Sequence, residues 1–235
     1  VPAEISISTW NVWFDKHARE QRFPALLEIL RAHDAEIMAF QEVTPPFVRA
    51  IQESEWLQKR HWISAVDHNN LGTVLVSRVR PDRLTWTELP TKMGRRLLTA
   101  DFPRGLRVGV CHLESLANVG LRSEQMRTAF AALRPAPRSI LLGDFNFADG
   151  APEALSIDPD FVDAWPAAHP ASPGYTRDTR ANPMGRFGRE DKQERLDRVL
   201  LRGPKLKSIE MLGTEPIGEG LYPSDHFGLL ARISL

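Results

Sequence analysis

Cysteine is nearly absent: Cys111 is the single one in 235 residues, so no disulfide can form within the chain and no oxidising compartment is implied. An excess of either charge is absent too. Thirty basic residues balance thirty acidic ones, which excludes a uniformly cationic coat for nucleic acid but not a local basic groove. No apolar run approaches the roughly 20 residues a membrane span needs, and there is no signal-peptide opening, internal repeat or low-complexity segment. The start at Val1 suggests a trimmed chain. What is there, 42% hydrophobic and 26% charged residues, suffices for a packed core. These features predict one soluble globular domain over residues 1–235, monomeric, off the membrane, and intracellular in cytoplasm or nucleus.

Two helices are legible. Phe23, Leu26, Leu27 and Leu30 follow the i, i+3, i+4, i+7 spacing of one buried face, over about 20–33. Met126, Ala129, Phe130 and Leu133 repeat it, and Pro135 and Pro137 stop the second helix. Short apolar stretches predict strands at 5–10, 36–41, 61–66, 73–77, 96–102, 107–113, 139–143, 196–201 and 228–233. Many strands and few helices predict an α/β class with substantial antiparallel pairing. Eight of the 18 prolines fall between Pro135 and Pro183, which marks long surface connections.

Polar residues stand where apolar strands run out. Ile5, Ile7 and Thr9 lead by alternation to Asn11, Met38 and Phe40 to Glu42, and Val108 and Val110 to His112. Ile140 and Leu142 lead to Asp144 and Asn146, Leu196 precedes Asp197, and Asp225-His226 precedes the last apolar run. Singly, each fits an ordinary turn or a solvated strand end. Their joint occurrence at rigid sheet ends points to a catalytic constellation.

The segments Thr9-Trp10-Asn11, Gln41-Glu42-Val43, His112-Leu113-Glu114-Ser115, Gly143-Asp144-Phe145-Asn146, Arg195-Leu196-Asp197-Arg198 and Ser224-Asp225-His226 occur in that order. In this the sequence resembles the endonuclease/exonuclease/phosphatase superfamily of DNase I-like phosphodiesterases, over essentially its whole length. The resemblance implies a four-layer α/β/β/α sandwich, two facing mixed sheets flanked by helices, with a cleft at one end. Gln41-Glu42-Val43-Thr44-Pro45-Pro46, Thr91-Lys92-Met93, Val162-Asp163-Ala164-Trp165 and Tyr175-Thr176-Arg177-Asp178-Thr179 resemble most the tyrosyl-DNA phosphodiesterase 2 family within it. That implies hydrolysis of 5′-phosphotyrosyl DNA bonds in repair of topoisomerase–DNA adducts. Departures fall at the substrate end. Arg177 stands where the family has a tryptophan, Ala148 where it has an arginine, and Leu71 where it tends to an aromatic residue.

Phosphodiester hydrolysis needs charge neutralisation, an oriented water and help for the departing oxygen. Mg²⁺, with Mn²⁺ as substitute, is expected on Glu42, with Asn11 either supplying an amide oxygen or orienting Glu42. Zinc is disfavoured, since neither a His-x-x-x-His pair nor clustered cysteines occur. Asp144 is expected to orient and deprotonate the water, and Asn146 to hold that water or a phosphate oxygen. His226, protonated and held by Asp197, is expected on a non-bridging phosphate oxygen. Asp225 adds negative charge to the metal site or aligns its loop. His112 and Ser115 form a second phosphate-contact set.

Single-stranded nucleic acid with a 5′ end is the expected partner. Eight basic against five acidic residues between Arg177 and Arg202 read either as a solvated mixed loop or as a phosphate-guiding wall. Tyr175, Phe187 or Trp165 offers a stacking surface there, and Lys92, Arg95 and Arg96 read as a smaller basic patch or, for Arg95 or Arg96, as strand-surface residues. The alternatives are another phosphodiesterase of the superfamily (an apurinic-site endonuclease, a nuclease, an inositol or lipid phosphatase) or a non-catalytic nucleic-acid scaffold.

Overall fold

Alternating and continuous runs of Val, Ile and Leu favour pleated, buried backbone, and the chain folds around such runs. The computed structural model describes residues 3–64, 71–186 and 191–235. Its first elements are β1 (Glu4–Asn11), α1 (Arg19–Ala32), β2 (Ile37–Val43), α2 (Pro45–Glu53), α3 (Glu55–Arg60), β3 (Trp62–Ile63) and β4 (Gly72–Ser77). Next come β5 (Arg83–Glu88), β6 (Arg96–Phe102), β7 (Leu106–His112), α4 (Val119–Leu133) and β8 (Arg138–Asp144). The last part holds β9 (Val162–Asp163), α5 (Ala164–Ala168), β10 (Arg177–Asp178), β11 (Gln193–Glu194), β12 (Asp197–Arg202), β13 (Lys205–Leu212) and β14 (Gly228–Ser234).

One six-stranded sheet has the order β13-β14-β1-β2-β4-β3 and the other β5-β6-β7-β8-β12-β9. Each is mixed: β1 runs parallel to β2 and β7 parallel to β8, while the remaining neighbours are antiparallel. The inner faces meet through Ile5, Ile7, Ile37, Ala39 and Leu75 from the first sheet and Leu98, Val108, Val110, Ile140, Leu142 and Val199 from the second. Phe23, Leu26 and Leu30 of α1 and Phe47 of α2 cover the outer face of the first sheet on Met38, Phe40 and Val74. Met126, Phe130 and Leu133 of α4 cover the other on Leu97, Leu141 and Leu200. The result is the expected α/β/β/α sandwich. Among the described residues, no helix is long and apolar enough to cross a membrane.

Every predicted strand has a counterpart, though 61–66 is realised only at Trp62–Ile63, and Ala65 and Val66 lie outside the described residues. The strands that escaped sequence reading include β5 and β13, one edge of each sheet. An edge strand with one exposed flank carries polar residues as protection, which masks it in Arg83-Leu84-Thr85-Trp86-Thr87-Glu88. Helix α2 also escaped, because Pro45 and Pro46 read as a breaker when they occupy its first positions.

Candidate active site

Strand register builds the site. Within the second sheet, His112 pairs with Asp144 and Asp144 with Asp197, so three polar side chains stand in one row at the end of the inner face. From the facing sheet, Asn11 Nδ2 donates to Asp144 Oδ2 at 3.0 Å. Asp144 Oδ1 accepts from the Asn146 backbone N–H at 2.8 Å, and Asn146 Nδ2 donates to the Leu113 carbonyl at 2.9 Å. His226, just before β14, places Nδ1 2.7 Å from Asp197 Oδ2. Its backbone carbonyl is fixed by Trp10 Nε1 at 2.9 Å. Thr176 Oγ1 accepts from the Leu196 and Asp197 N–H groups at 3.0 Å.

Glu42 arrives by a different route from the one alternation predicts. Met38 and Phe40 face the helices and Ile37 and Ala39 face the other sheet, so strict alternation sends Glu42 outward. The β2–β4 register slips between Phe40 and Val43, and Glu42 has φ 59°. This bulge re-aims the carboxylate into the site; Phe14 N–H donates to its Oε2 at 3.1 Å.

These groups open on a cavity of about 370 Å³ whose wall includes Glu42, Ser115, Asp144, Asn146, Arg177, Asp225 and His226. Trp13, Phe14, Leu116 and Leu196 add apolar surface. Trp13, Glu42, Leu116 and Asn146 all have φ between 55° and 64°. Left-handed backbone costs a non-glycine residue about 1–2 kcal/mol, and such strain concentrates where function holds it in place.

The charges are crowded. Burial, then the neighbouring Asp225, push the Glu42 carboxyl up to about 7, against hydrogen bonds from Asn11 and Phe14. Burial likewise raises Asp225. For His226, burial acts downward, but Asp197, Asp225 and Asp144 together outweigh it and hold the imidazole well above its ordinary value. The surrounding carboxylates thus favour the charged imidazole. His112 is the reverse case: burial, then the Arg95 guanidinium, lower it to about 3. Arg95 Nη1 lies 2.9 Å from His112 Nδ1, so neutral His112 carries its proton on Nε2, 3.5 Å from Asp144 Oδ2.

Asp144, Asp197 and His226 form a buried cluster whose ligand-type atoms lie within 4.8 Å of one another, a spacing able to hold a divalent metal once the imidazole gives up its proton. Asp197 Oδ1 is buried without a hydrogen-bond partner among the described residues. Two carboxyls raised by burial, Glu42 with repulsion from Asp225 and Asp225 with repulsion from Asp144, likewise fit a hard cation.

Other expected residues are placed differently. His112 is 3% exposed and sits behind Asp144, not on the cavity wall. Tyr175 is half-buried off that wall, Trp165 belongs to the core between the sheets, and Phe187 lies outside the described residues. Ser115 is on the wall, its Oγ donating to Met93 Sδ at 3.1 Å. Arg177 is there too, donating to Glu194 Oε2 at 3.3 Å and to the Gly185 carbonyl at 2.8 Å. The basic stretch is largely neutralised. Arg195 and Arg198 pair with Asp149 and Asp163, and Arg202 caps the Arg134 and Ala136 carbonyls. Of the smaller patch, Arg95 is buried and Arg96 pairs with Glu88.

Arg22 escaped sequence reading. Fully buried, it donates to the carbonyls of Val12, Trp13, Asp15, His17 and Pro223, and so fixes the loop after β1. Its signal was a charged residue four positions before Leu26, on the apolar stripe of α1.

The sequence profile of the Endonuclease/Exonuclease/phosphatase family matches residues 8–226. The chain belongs to this family. Membership makes it a hydrolase of the phosphoesterase superfamily. Similar curated proteins include tyrosyl-DNA phosphodiesterase 2 of Mus musculus, 29% identical over 98% of the chain and 66% of the relative. The Homo sapiens protein of that name is 26% identical over 98% and 68%. The chain thus spans about two thirds of the curated relatives it matches. Among solved structures, D. rerio TDP2 complexed with single-strand DNA product superposes with a TM-score of 0.89 at 24% identity, covering 100% of both chains.

Proposed function

We propose that this phosphoesterase is a Mg²⁺-dependent phosphodiesterase that cleaves the bond between a tyrosine side chain and a DNA 5′ phosphate at a single-stranded end. The observation that carries the reading is one cavity joining the crowded Glu42–Asp225 pair, an Asp144 held through both oxygens and a His226 ringed by carboxylates. Similarity to tyrosyl-DNA phosphodiesterase 2 over 98% of the chain supports the substrate.

Glu42 is the principal metal residue and Asp225 supplies a second negative charge beside it. Both ends of the Asn11 amide are engaged, Nδ2 by Asp144 and Oδ1 by the Trp13 N–H. Of its two expected roles, this favours orienting the carboxylates. When bound, the metal neutralises phosphate charge and eases departure of the oxygen. Asp144, locked from both oxygens, orients a water and takes its proton. His226 Nε2–H donates to a non-bridging oxygen as charge builds there, while Asp197 keeps the ring charged and in place. A phenol has a pKa near 10, so a tyrosyl oxygen leaves with less protonation than an alkoxide requires.

The deciding experiment compares kcat/KM on 5′-tyrosyl DNA, abasic duplex, RNA and inositol phosphates, each with Mg²⁺ and with EDTA. The expected result is a preference for 5′-tyrosyl DNA that chelation removes; preference for any other member assigns the site to that substrate.

A second expectation concerns pH. With Glu42 titrating near 7, protons and metal compete for one carboxylate. Mg²⁺ affinity by calorimetry should fall about tenfold per pH unit below 7 and level off above it. In the metal-free protein the folded state binds the proton more tightly than the unfolded chain does. The Glu42 contribution to stability therefore declines as pH rises from about 4.5 to 7. Melting temperatures without that decline in wild type, or with an equal decline in Glu42→Gln, would remove Glu42 as the cause.

A further inference from the structure

The cavity wall carries two large apolar side chains that folding alone does not explain. Phe14 is 47% and Leu116 77% exposed, whereas Trp13 and Leu196 on the same wall are buried. Leu116 also holds a left-handed φ of 64°, so exposure and backbone strain coincide in one residue. The strain is built in: Arg122 Nη1 donates to the carbonyls of Glu114 and Leu116 at 2.9 and 2.6 Å. Arg122 is itself anchored by a buried ion pair with Glu153. On the other side, Phe14 follows β1, its N–H committed to Glu42. The two side chains thus come from loops that follow strands of opposite sheets and line the one cavity that holds the reaction centre.

We infer that Phe14 and Leu116 form a stacking seat for the nucleobase of the nucleotide whose 5′ phosphate is attacked. This rests on the phosphodiesterase reading above, which sets a nucleoside beside the phosphate. A base presents a π-face whatever its identity, so an apolar seat is sequence-tolerant. The aromatic residues expected for stacking do not supply it, since Tyr175 and Trp165 lie off the wall. Arg177 and Glu194, on the same wall, are taken up in an ion pair.

The test measures kcat/KM for thymidine 5′-(p-nitrophenyl) phosphate and for the same ester on a base-less sugar phosphate. Wild type should favour the base-bearing ester about tenfold, the size of one base–aromatic contact. Phe14→Ser should collapse that ratio towards one, as should Leu116→Asn, which keeps a residue tolerant of left-handed backbone. Leu155→Ser, a control at a 92% exposed leucine outside the cavity, should not change it. A ratio unaltered in both seat variants, or already near one in wild type, overturns the inference. If neither ester is hydrolysed, the chemistry fails, and binding decides the seat. Oligothymidylate should then bind about tenfold tighter than an abasic strand of equal length, and Phe14→Ser should lose the difference. Equal binding of the two strands overturns the seat.

Discussion

Asp144→Asn should fold and yet hydrolyse phosphodiesters at least about 10²-fold more slowly, the lower end of what a positioned base contributes. The asparagine keeps the shape but offers one acceptor oxygen where Asn11 and the Asn146 N–H now use two. The cost in stability is one unmet donor, about 1–3 kcal/mol, so thermal melting separates loss of chemistry from loss of fold. Glu42→Gln should fall by a similar factor for a different reason. It removes a metal charge, so raising Mg²⁺ should recover part of the Glu42→Gln rate and none of the Asp144→Asn rate. Steady-state turnover across a Mg²⁺ series distinguishes the two, and a variant with near-wild-type turnover would strip that residue of its role.

Gly143→Ala should have the largest effect on the fold. Gly143 pairs with Cys111 across the parallel β7–β8 ladder at φ 144°, and a Cβ there would stand 1.9 Å from the Cys111 carbonyl oxygen. The obstacle is backbone, so no rotamer change relieves it; the two strands must part. Losses above about 4 kcal/mol are exceptional for one substitution, and this clash belongs with them. The next pair in the ladder is His112–Asp144, so activity should go as well. Urea denaturation gives the answer, and a midpoint equal to wild type would refute the strain argument.

The strands and the groups at their ends were legible because alternation is a local property, whereas the layering came only with the family resemblance. Ile140-Leu141-Leu142-Gly143-Asp144 carries its own face assignment wherever the strand is placed. Glu42 was found although its alternation pointed to the wrong face, because a bulge is invisible to a period-two pattern. Arg22 and Arg95 were missed as structural centres because burial of a cation depends on which carbonyls or rings converge on it, and convergence is set by tertiary packing. Which of the two readings of the Arg177–Arg202 stretch holds was illegible for the same reason. Its arginines and the acids at Asp149 and Asp163 are far apart in sequence and paired in space.

The placement of β14 between β13 and β1, with His226 just ahead of it, sets a time order for biosynthesis. A nascent chain on the ribosome holds Asn11, Glu42, Asp144 and Asp197 long before the imidazole emerges, and β1 stays without its antiparallel neighbour until residue 234 has been translated. A chain shortened before Gly228 would therefore leave β1 and β13 without their shared partner and His226 without the strand that follows it.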